Sequence, residues 1–270
     1  MERKFTELED FYQNRYNEDG RMSRMPLEYL RCKEIISRYL APAMTIADVG
    51  GATGAFSYWL AQQGHTVHLL DYTPLHIEQA KEHGKNLGLA LASCICGDAR
   101  ELPYADHSMD LVLLKGPLYH MQDSADRMAC LAEAMRVLKV GGTLICEVIS
   151  QYANVFDGFR GGLIDDERFR QILDENLATG NHNPGDTPYF TTAFFHSPEL
   201  LRVELEQAGF ADITLLPVEG FANALDISAY IDDESKRDIL LEYIRKTEAI
   251  PSLLGIAGHF MGIAVKKGTT

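Results

Sequence analysis

The sequence predicts an α/β protein built on an open, mostly parallel sheet with helices on both faces. Two observations carry that prediction. Residues Met44–Gly54 (MTIADVGGATG) read as a short apolar strand, an acidic residue and a glycine-rich turn opening a helix at Ala55. From there to residue 149, short apolar runs alternate with amphipathic segments of helical period. A strand that feeds a glycine-rich turn and a helix N-terminus is a nucleotide site in such a sheet. The backbone amides point outward there, and the missing Cβ atoms let a ligand come close. Two details narrow the choice of nucleotide. Gly50-x-Ala52-x-Gly54 does not match the G-x-G-x-x-G turn that cradles a dinucleotide pyrophosphate. Asp48 puts a carboxylate at the strand end, where a pyrophosphate is repelled and a sulfonium or ammonium is not.

Composition sets the outer bounds. A chain of 270 residues with 46% hydrophobic content supplies one large core, so a single domain with insertions is expected. The formal charge is −14 and no basic run exceeds Lys266-Lys267, which argues against sequence-independent nucleic-acid binding. Five cysteines, odd in number and without zinc or C-x-x-C spacing, read as reduced core thiols of a cytoplasmic protein. The charged start MERKFTELED does not resemble a signal peptide, and no apolar run approaches the ~20 residues of a membrane span. Asp106, Asp110, Asp123 and Asp126 make no convincing ligand set with the histidines, so no metal is expected.

Taken in order, Phe5, Leu8, Phe11, Tyr12 and Tyr16 recur at helical spacing, and Pro26–Tyr39 is a second helix with Pro26 in its first turn. Ala55–Gln63 is a helix ended by Gly64, and Thr66–Leu70 is a buried strand ending at Asp71. A carboxylate at the end of the strand neighbouring the first can accept both ribose hydroxyls of a nucleoside. Tyr72 either stacks on the base or is a partly buried aromatic at a strand end. Pro74–Leu87 is the next helix and Leu91–Cys96 the third strand, closed by GDARELP over 97–103. Met109–Leu114 is the fourth strand, so Lys115–His120 falls in the crevice beyond the strand ends where ligands sit. Ser124–Leu138 is a helix with Ser124 as cap, and RVLKVGG over 136–142 leads into a fifth strand, Thr143–Ile149.

In this order and spacing, DVGGATG, the Asp71 strand end, GDARELP, MDLVLLKGPLYHM and RVLKVGG resemble the class I S-adenosylmethionine-dependent methyltransferases. The core is similar to the small-molecule methyltransferases of ubiquinone and menaquinone biosynthesis, and GPLYH (116–120) resembles a bacterial subgroup of that family. RVLKVGG departs from the family's RVLKPGG by Val140 in place of proline. The resemblance covers residues 45–149, under half of the chain. It implies a Rossmann-like, seven-stranded, mostly parallel sheet whose last strand pairs antiparallel as part of the edge hairpin. It implies S-adenosylmethionine as cofactor and S-adenosylhomocysteine as product. Asp48, Gly50, Gly51, Gly54, Asp71, Tyr72 and Lys115 are then the expected cofactor contacts. Asp98 would accept from the adenine amino group, and the Ala99 amide would reach the ring.

The chain divides into an N-terminal helical segment (1–42), the cofactor core (43–149), a turn-rich insertion (150–196) and a C-terminal part of the core (197–270). The first segment either caps the sheet edge or forms a lid, in which Arg24 or Arg21 clamps the methionine carboxylate. In the insertion, Phe156–Arg160 and Asn181–Thr187 read as turns and Asp165–Ala178 as a helix. Its aromatics, Phe156 and Phe195 among them, are candidates for an apolar substrate wall. Ser197-Pro198 caps a helix over Leu200–Ala208, Ala211–Pro217 is a sixth strand, Ser228–Glu248 a helix, and His259–Lys266 the seventh strand.

Methyl transfer needs alignment and exclusion of water more than it needs a base. Where the acceptor carries a proton, a neutral histidine can take it near pH 7. His120 is the first candidate because it follows the fourth strand, with Tyr119 to orient the acceptor. His196 and His259 are second. The expected function is methylation of a small metabolite at O, N, S or C, without nucleic-acid or membrane partners. A non-catalytic S-adenosylmethionine or S-adenosylhomocysteine binder, or an NAD(P)-dependent oxidoreductase, are the alternatives. Acceptor and oligomeric state are not readable from the sequence.

Overall fold

The computed structural model describes residues 6–268; Phe5 of the predicted N-terminal aromatic series lies outside them. In chain order the elements begin with α1 (Thr6–Asp10), a π turn over Phe11–Arg15, α2 (Arg21–Arg24) and α3 (Pro26–Ser37). The core follows as β1 (Thr45–Val49), α4 (Ala55–Gln62), β2 (Thr66–Asp71), α5 (Pro74–Leu87), β3 (Ser93–Cys96) and β4 (Met109–Lys115). A 3₁₀ turn at Pro117–His120 leads to α6 (Ser124–Val137) and β5 (Leu138–Ile149). The insertion holds α7 (Ala153–Arg160), α8 (Glu167–Thr179), β6 (Asn181–His182) and β7 (Ala193–Phe194). The chain ends through α9 (Pro198–Gln207), β8 (Ala211–Pro217), α10 (Ser228–Ile231), α11 (Glu234–Thr247) and β9 (His259–Val265).

The seven-stranded sheet has the order β3-β2-β1-β4-β5-β9-β8. β1 to β5 pair in parallel, and β9 runs antiparallel to both β5 and β8. Chain order reverses between β1 and β4, so the crevice at their carboxyl ends is the switch point where such sheets bind ligands. The strands read as continuous apolar runs because both faces are covered. Along β4, Leu111 and Leu113 pack with Ile35 and Ile36 of α3 and Phe56 and Leu60 of α4. Val112 and Leu114 face the other way, toward Leu131 and Ala134 of α6 and Leu201 and Leu205 of α9.

Several boundaries depart from the sequence expectation. β5 starts at Leu138, directly after α6, because Leu138 pairs with Met109 and the KVGG turn is absorbed as a register shift. Phe156–Arg160 is helical, forming most of α7 rather than a turn. The helix expected over 228–248 is broken: Asp233 accepts from the Lys236 amide and starts α11 afresh. Asp123, not Ser124, caps α6, accepting from the Ala125 amide. Cys96 is exposed and Cys94 half-buried, so only Cys32, Cys130 and Cys146 are core thiols. Ser197 does cap α9, accepting from the Leu200 amide at 3.2 Å. No helix among the described residues is long and apolar enough to cross a membrane.

Candidate functional site

The turn after β1 is held by geometry that only small residues allow. Gly50 has φ +75°, and a Cβ there would lie 2.4 Å from the Lys115 carbonyl oxygen and 2.5 Å from Pro117 Cδ. A Cβ on Gly51 would stand 2.6 Å from Asp48 Oδ2. Gly54, at φ +87°, opens α4. The Asp48 carboxylate is buried directly beneath this turn. Its Oδ2 accepts the Ser57 hydroxyl at 2.6 Å, and its Oδ1 has no partner. Burial pushes the carboxyl up to about 6. Asp71 braces the same turn from β2: it accepts the Ala52 amide at 2.9 Å and the Thr73 amide at 2.9 Å, and His76 Nδ1 donates to it at 3.0 Å. A carboxylate so engaged keeps at most one lone-pair direction for a ligand. Asp98 closes its own turn through the Arg100 amide at 2.9 Å and pairs with the Arg100 guanidinium at 2.6 Å.

These groups face a cavity of about 580 Å³. Asp48, Gly50, Gly51, Gly54, Asp71, Tyr72, Asp98, Ala99 and Lys115 all line it. Lys115 forms a buried ion pair with Glu147 of β5, lies 3.5 Å from Cys32 Sγ and sits 4.6 Å from the Phe56 ring centroid. Sequence reading missed Glu147. Its signal is a lone acid inside the apolar run LICEVI, where only a buried partner makes a carboxylate tolerable.

The N-terminal segment supplies a further wall, with Tyr12, Glu18, Arg21 and Glu28 lining the cavity. The Tyr12 hydroxyl lies 3.1 Å from His120 Nε2, while His120 Nδ1 is buried without a partner. Burial pushes the His120 imidazole down to about 3 and the Tyr119 hydroxyl up to about 12. Arg21 donates to Glu28 at 2.7 Å and lies 3.6 Å from Glu18. Arg24 does not line this cavity; its guanidinium donates to the Asn17 carbonyl at 2.8 Å and lies 5.2 Å from the Tyr16 ring.

A second cavity, of about 830 Å³, adjoins the first and shares Tyr12, Arg21, Glu28 and Tyr119 with it. Phe195, Phe190, Arg24 and His259 are among its lining residues. The His259 ring donates from Nδ1 to Glu219 at 2.8 Å, and the His259 amide donates to the other Glu219 oxygen at 2.9 Å. Burial opposes charge on this imidazole, but the Glu219 and Glu28 carboxylates outweigh it and raise its pKa. His196 lines neither cavity. It is fully buried, bonded to Glu204 at 3.1 Å in a cluster with Arg127, whose guanidinium covers the Phe194 ring at 3.7 Å. Phe156 also lines neither.

Among the described residues, two groups bring possible metal donors within 4.8 Å of one another: Glu28, Glu219 and His259, and Glu28, Cys32 and Glu147. In both, cations are already in place, Arg21 on Glu28 and Lys115 on Glu147.

Comparison with known proteins bears on the first cavity directly. A family model described as a methyltransferase domain matches residues 47–146. Residues 47–146 are therefore read as a methyltransferase domain, which is well under half of the chain. A demethylmenaquinone methyltransferase of Bacillus cytotoxicus is 36% identical over 91 residues, 34% of this chain and 36% of that protein. The chain spans 62% and 45% of the length of two further relatives of the same name. Among solved structures, a S-adenosylmethionine-dependent methyltransferase of Methanosarcina mazei superposes with TM-score 0.60 at 19% identity, covering 87% of this chain and 98% of the other. The phosphoethanolamine N-methyltransferase 2 of Haemonchus contortus, in complex with S-adenosyl-L-methionine, gives TM-score 0.60 at 16% identity over 96% of this chain and 60% of its own.

The methyltransferase domain match runs from β1 into β5 and so contains the glycine turn, Asp71, Asp98 and the Lys115–His120 stretch. Arg24, His196, His259, Phe156 and Phe195 lie outside it, as do Tyr12, Arg21, Glu28, Glu147 and Glu219. Of its acids, Glu28 and Glu219 had no local signal in sequence, because each reads as an ordinary surface charge.

Proposed function

We propose that the protein is a methyltransferase that binds S-adenosylmethionine in the first cavity and a small-molecule acceptor in the second. The observation that carries this reading is the junction: the two cavities meet at Tyr12, Arg21, Glu28 and Tyr119. The donor set of the first cavity suits the cofactor. A buried carboxylate with an unpartnered oxygen at Asp48, together with Asp71, Asp98 and Glu147, favours a ligand carrying sulfonium and ammonium groups over one carrying a pyrophosphate. Asp48, Gly50, Gly51 and Gly54 would hold the amino-acid part, Asp71 and Tyr72 the ribose and ring, and Asp98 with Ala99 the adenine edge. Arg21, at the shared wall, is better placed than Arg24 for the methionine carboxylate.

When bound, the cofactor supplies an electrophilic methyl group on a sulfonium, displaced in line by the acceptor to leave S-adenosylhomocysteine. The protein's own part is to align the acceptor and keep water out, and the N-terminal segment serves as the lid. Tyr119 orients the acceptor. His120 stays neutral and contributes a hydrogen-bonding wall with Tyr12, since a base depressed to about 3 takes up protons poorly at neutral pH. The net charge of −14 supports a small acceptor rather than a nucleic acid, and three buried core thiols, Cys32, Cys130 and Cys146, support a cytoplasmic setting.

Thermal unfolding with S-adenosylmethionine or S-adenosylhomocysteine, against NAD and NADP, tests the reading. A ligand at about 100 times its dissociation constant adds roughly 2.7 kcal/mol to the native state. Stabilisation by the sulfur nucleosides alone is the expected result. Stabilisation by the nicotinamide nucleotides alone would overturn it. Tritium transfer from the labelled cofactor to an acceptor separates an enzyme from a silent binder.

A further inference from the structure

Glu28, on the wall that the two cavities share, carries one unmatched oxygen. Glu28 is nearly fully buried; its Oε1 takes Arg21 at 2.7 Å, and its Oε2 has no hydrogen-bond partner. Donor atoms of Glu28, Glu219 and His259 lie within 4.8 Å of one another. Glu219 commits both oxygens to His259, one to the backbone amide and one to Nδ1, so the ring atom left for a ligand is Nε2. A carboxylate only accepts, which fixes the proton on Nδ1 and makes Nε2 of the neutral ring an acceptor. The cations around the cavity are engaged elsewhere, Arg24 on the Asn17 carbonyl and Arg160 on the Asn223 carbonyl. The remaining wall is apolar, with Leu27, Ile149, Phe190 and Phe195. A buried carboxylate oxygen without a donor is costly, and a charged N–H donor is the group that satisfies it best.

We propose that the methyl acceptor is a primary or secondary amine with an apolar body, its ammonium held by Glu28 Oε2 and its proton taken by Nε2 of His259, which Glu219 orients. This rests on the assignment of the second cavity to the acceptor. The ammonium gives one proton to Nε2, leaving an imidazolium paired with the Glu219 carboxylate. The freed nitrogen lone pair forms the C–N bond as the methyl–sulfur bond breaks and its electron pair stays on sulfur. The positive charge of the sulfonium ends on the methylated ammonium, and the imidazolium proton passes to solvent. The charged groups facing His259 are Glu219, Glu28, Arg21 and Asp157. Of these, the Glu219 and Glu28 carboxylates hold the imidazolium.

The test uses the full chain saturated with S-adenosylhomocysteine and a panel of alkyl- and arylalkylamines, each beside the alcohol of the same carbon skeleton. Amines that fit are expected to raise the unfolding temperature further and to accept tritiated methyl, while their alcohols do neither. Glu28→Gln should abolish the amine-dependent shift, read with S-adenosylhomocysteine held at saturation by its affinity measured for the variant itself. His259→Gln should keep the amine shift, lower turnover by about 100-fold or more, and remove the rise of kcat with pH. Alcohols matching or exceeding amines, a panel in which no amine acts, or an undiminished amine shift in Glu28→Gln would each overturn the proposal. So would activity lost to EDTA and restored by a divalent metal, which would make the three residues ligands instead. A missing shift from S-adenosylhomocysteine itself would instead strike the methyltransferase reading on which the proposal stands.

Discussion

Asp48 offers the sharpest test of how the cofactor cavity is built. Burial raises its carboxyl from an ordinary 3.8 to about 6, with only Ser57 donating to it. At about 1.36 kcal/mol per pKa unit, that shift amounts to roughly 3 kcal/mol. The sign follows from linkage. A group whose native pKa is raised favours the native state below its unfolded pKa, and that favour is lost as pH rises through the native value. The Asp48 contribution is therefore lost between about pH 4 and pH 6, while the depressed His120 imidazole contributes in the opposite sense over the same range, so the difference between the parent and a variant isolates the buried charge. Asp48→Asn removes the titration while its side-chain oxygen still accepts from Ser57. The ligand-free variant should be more stable than the parent by about 2–3 kcal/mol at pH 7, allowing for one unmatched amide donor. The difference should vanish near pH 4, as read by urea unfolding across that range. Binding then separates two roles for the charge. A carboxylate facing the sulfonium favours S-adenosylmethionine over the neutral thioether of S-adenosylhomocysteine, so the variant should lose roughly tenfold in that ratio, about 1.4 kcal/mol. An equal loss for both ligands would mean that Asp48 faces the ammonium they share. A variant less stable than the parent at pH 7, or a parent–variant difference that stays flat from pH 4 to 6, would refute the reasoning.

Three further changes probe the surrounding frame. Lys115→Met should cost about 3–5 kcal/mol in urea unfolding by stranding buried Glu147, and the double variant Lys115→Met/Glu147→Leu should recover most of it. Recovery of stability without recovery of S-adenosylhomocysteine affinity would give Lys115 a ligand contact as well. Gly50→Ala should lose about 2–4 kcal/mol, because a left-handed residue costs ~1–2 and the new Cβ meets the backbone of Lys115; an unchanged urea midpoint would count against the turn as described. Asp71→Ala should weaken S-adenosylhomocysteine by about 2–3 kcal/mol in calorimetry and speed amide exchange at Ala52 and Thr73, which it now holds. Unchanged affinity with the fold intact would remove it from the ribose.

The sheet was legible because its signals are local. β1, β2 and β4 are apolar runs ended by turn residues, and α5 matches its expected span from the proline at its first turn to the glycine after its last residue. The glycine turn was legible for the same reason, since its strain and close approach belong to consecutive residues. What escaped depends on convergence. Tyr12 reaches His120 across 108 positions, and Glu28 meets His259 only because α3 and the start of β9 border the same cavity. Glu147 escaped because an acid in a buried strand is explained only by Lys115 on the neighbouring strand. Ranking His120 above His259 rested on its place after β4. In the proposed reading His259 comes first instead, because burial disfavours charge on both imidazoles and only His259 stands against two carboxylates, a convergence no sequence pattern reports.

The division between the two cavities also limits what the relatives can say. Of the residues lining the second cavity, only Tyr119 falls within the matched span 47–146. The rest come from the N-terminal segment, the insertion and the stretch from Glu219 to His259. A match confined to the span that builds the cofactor cradle constrains the ligand of the first cavity and leaves the second almost untouched. Quinone methylation, named for the relatives, therefore does not carry over by similarity, for a fold hosts many acceptors on one cofactor site. In the proposed reading the acceptor meets the groups of the second cavity, among them a carboxylate with an unpartnered oxygen and a histidine held by a second carboxylate. A neutral quinol ring has no charge to offer that oxygen, and an ammonium does.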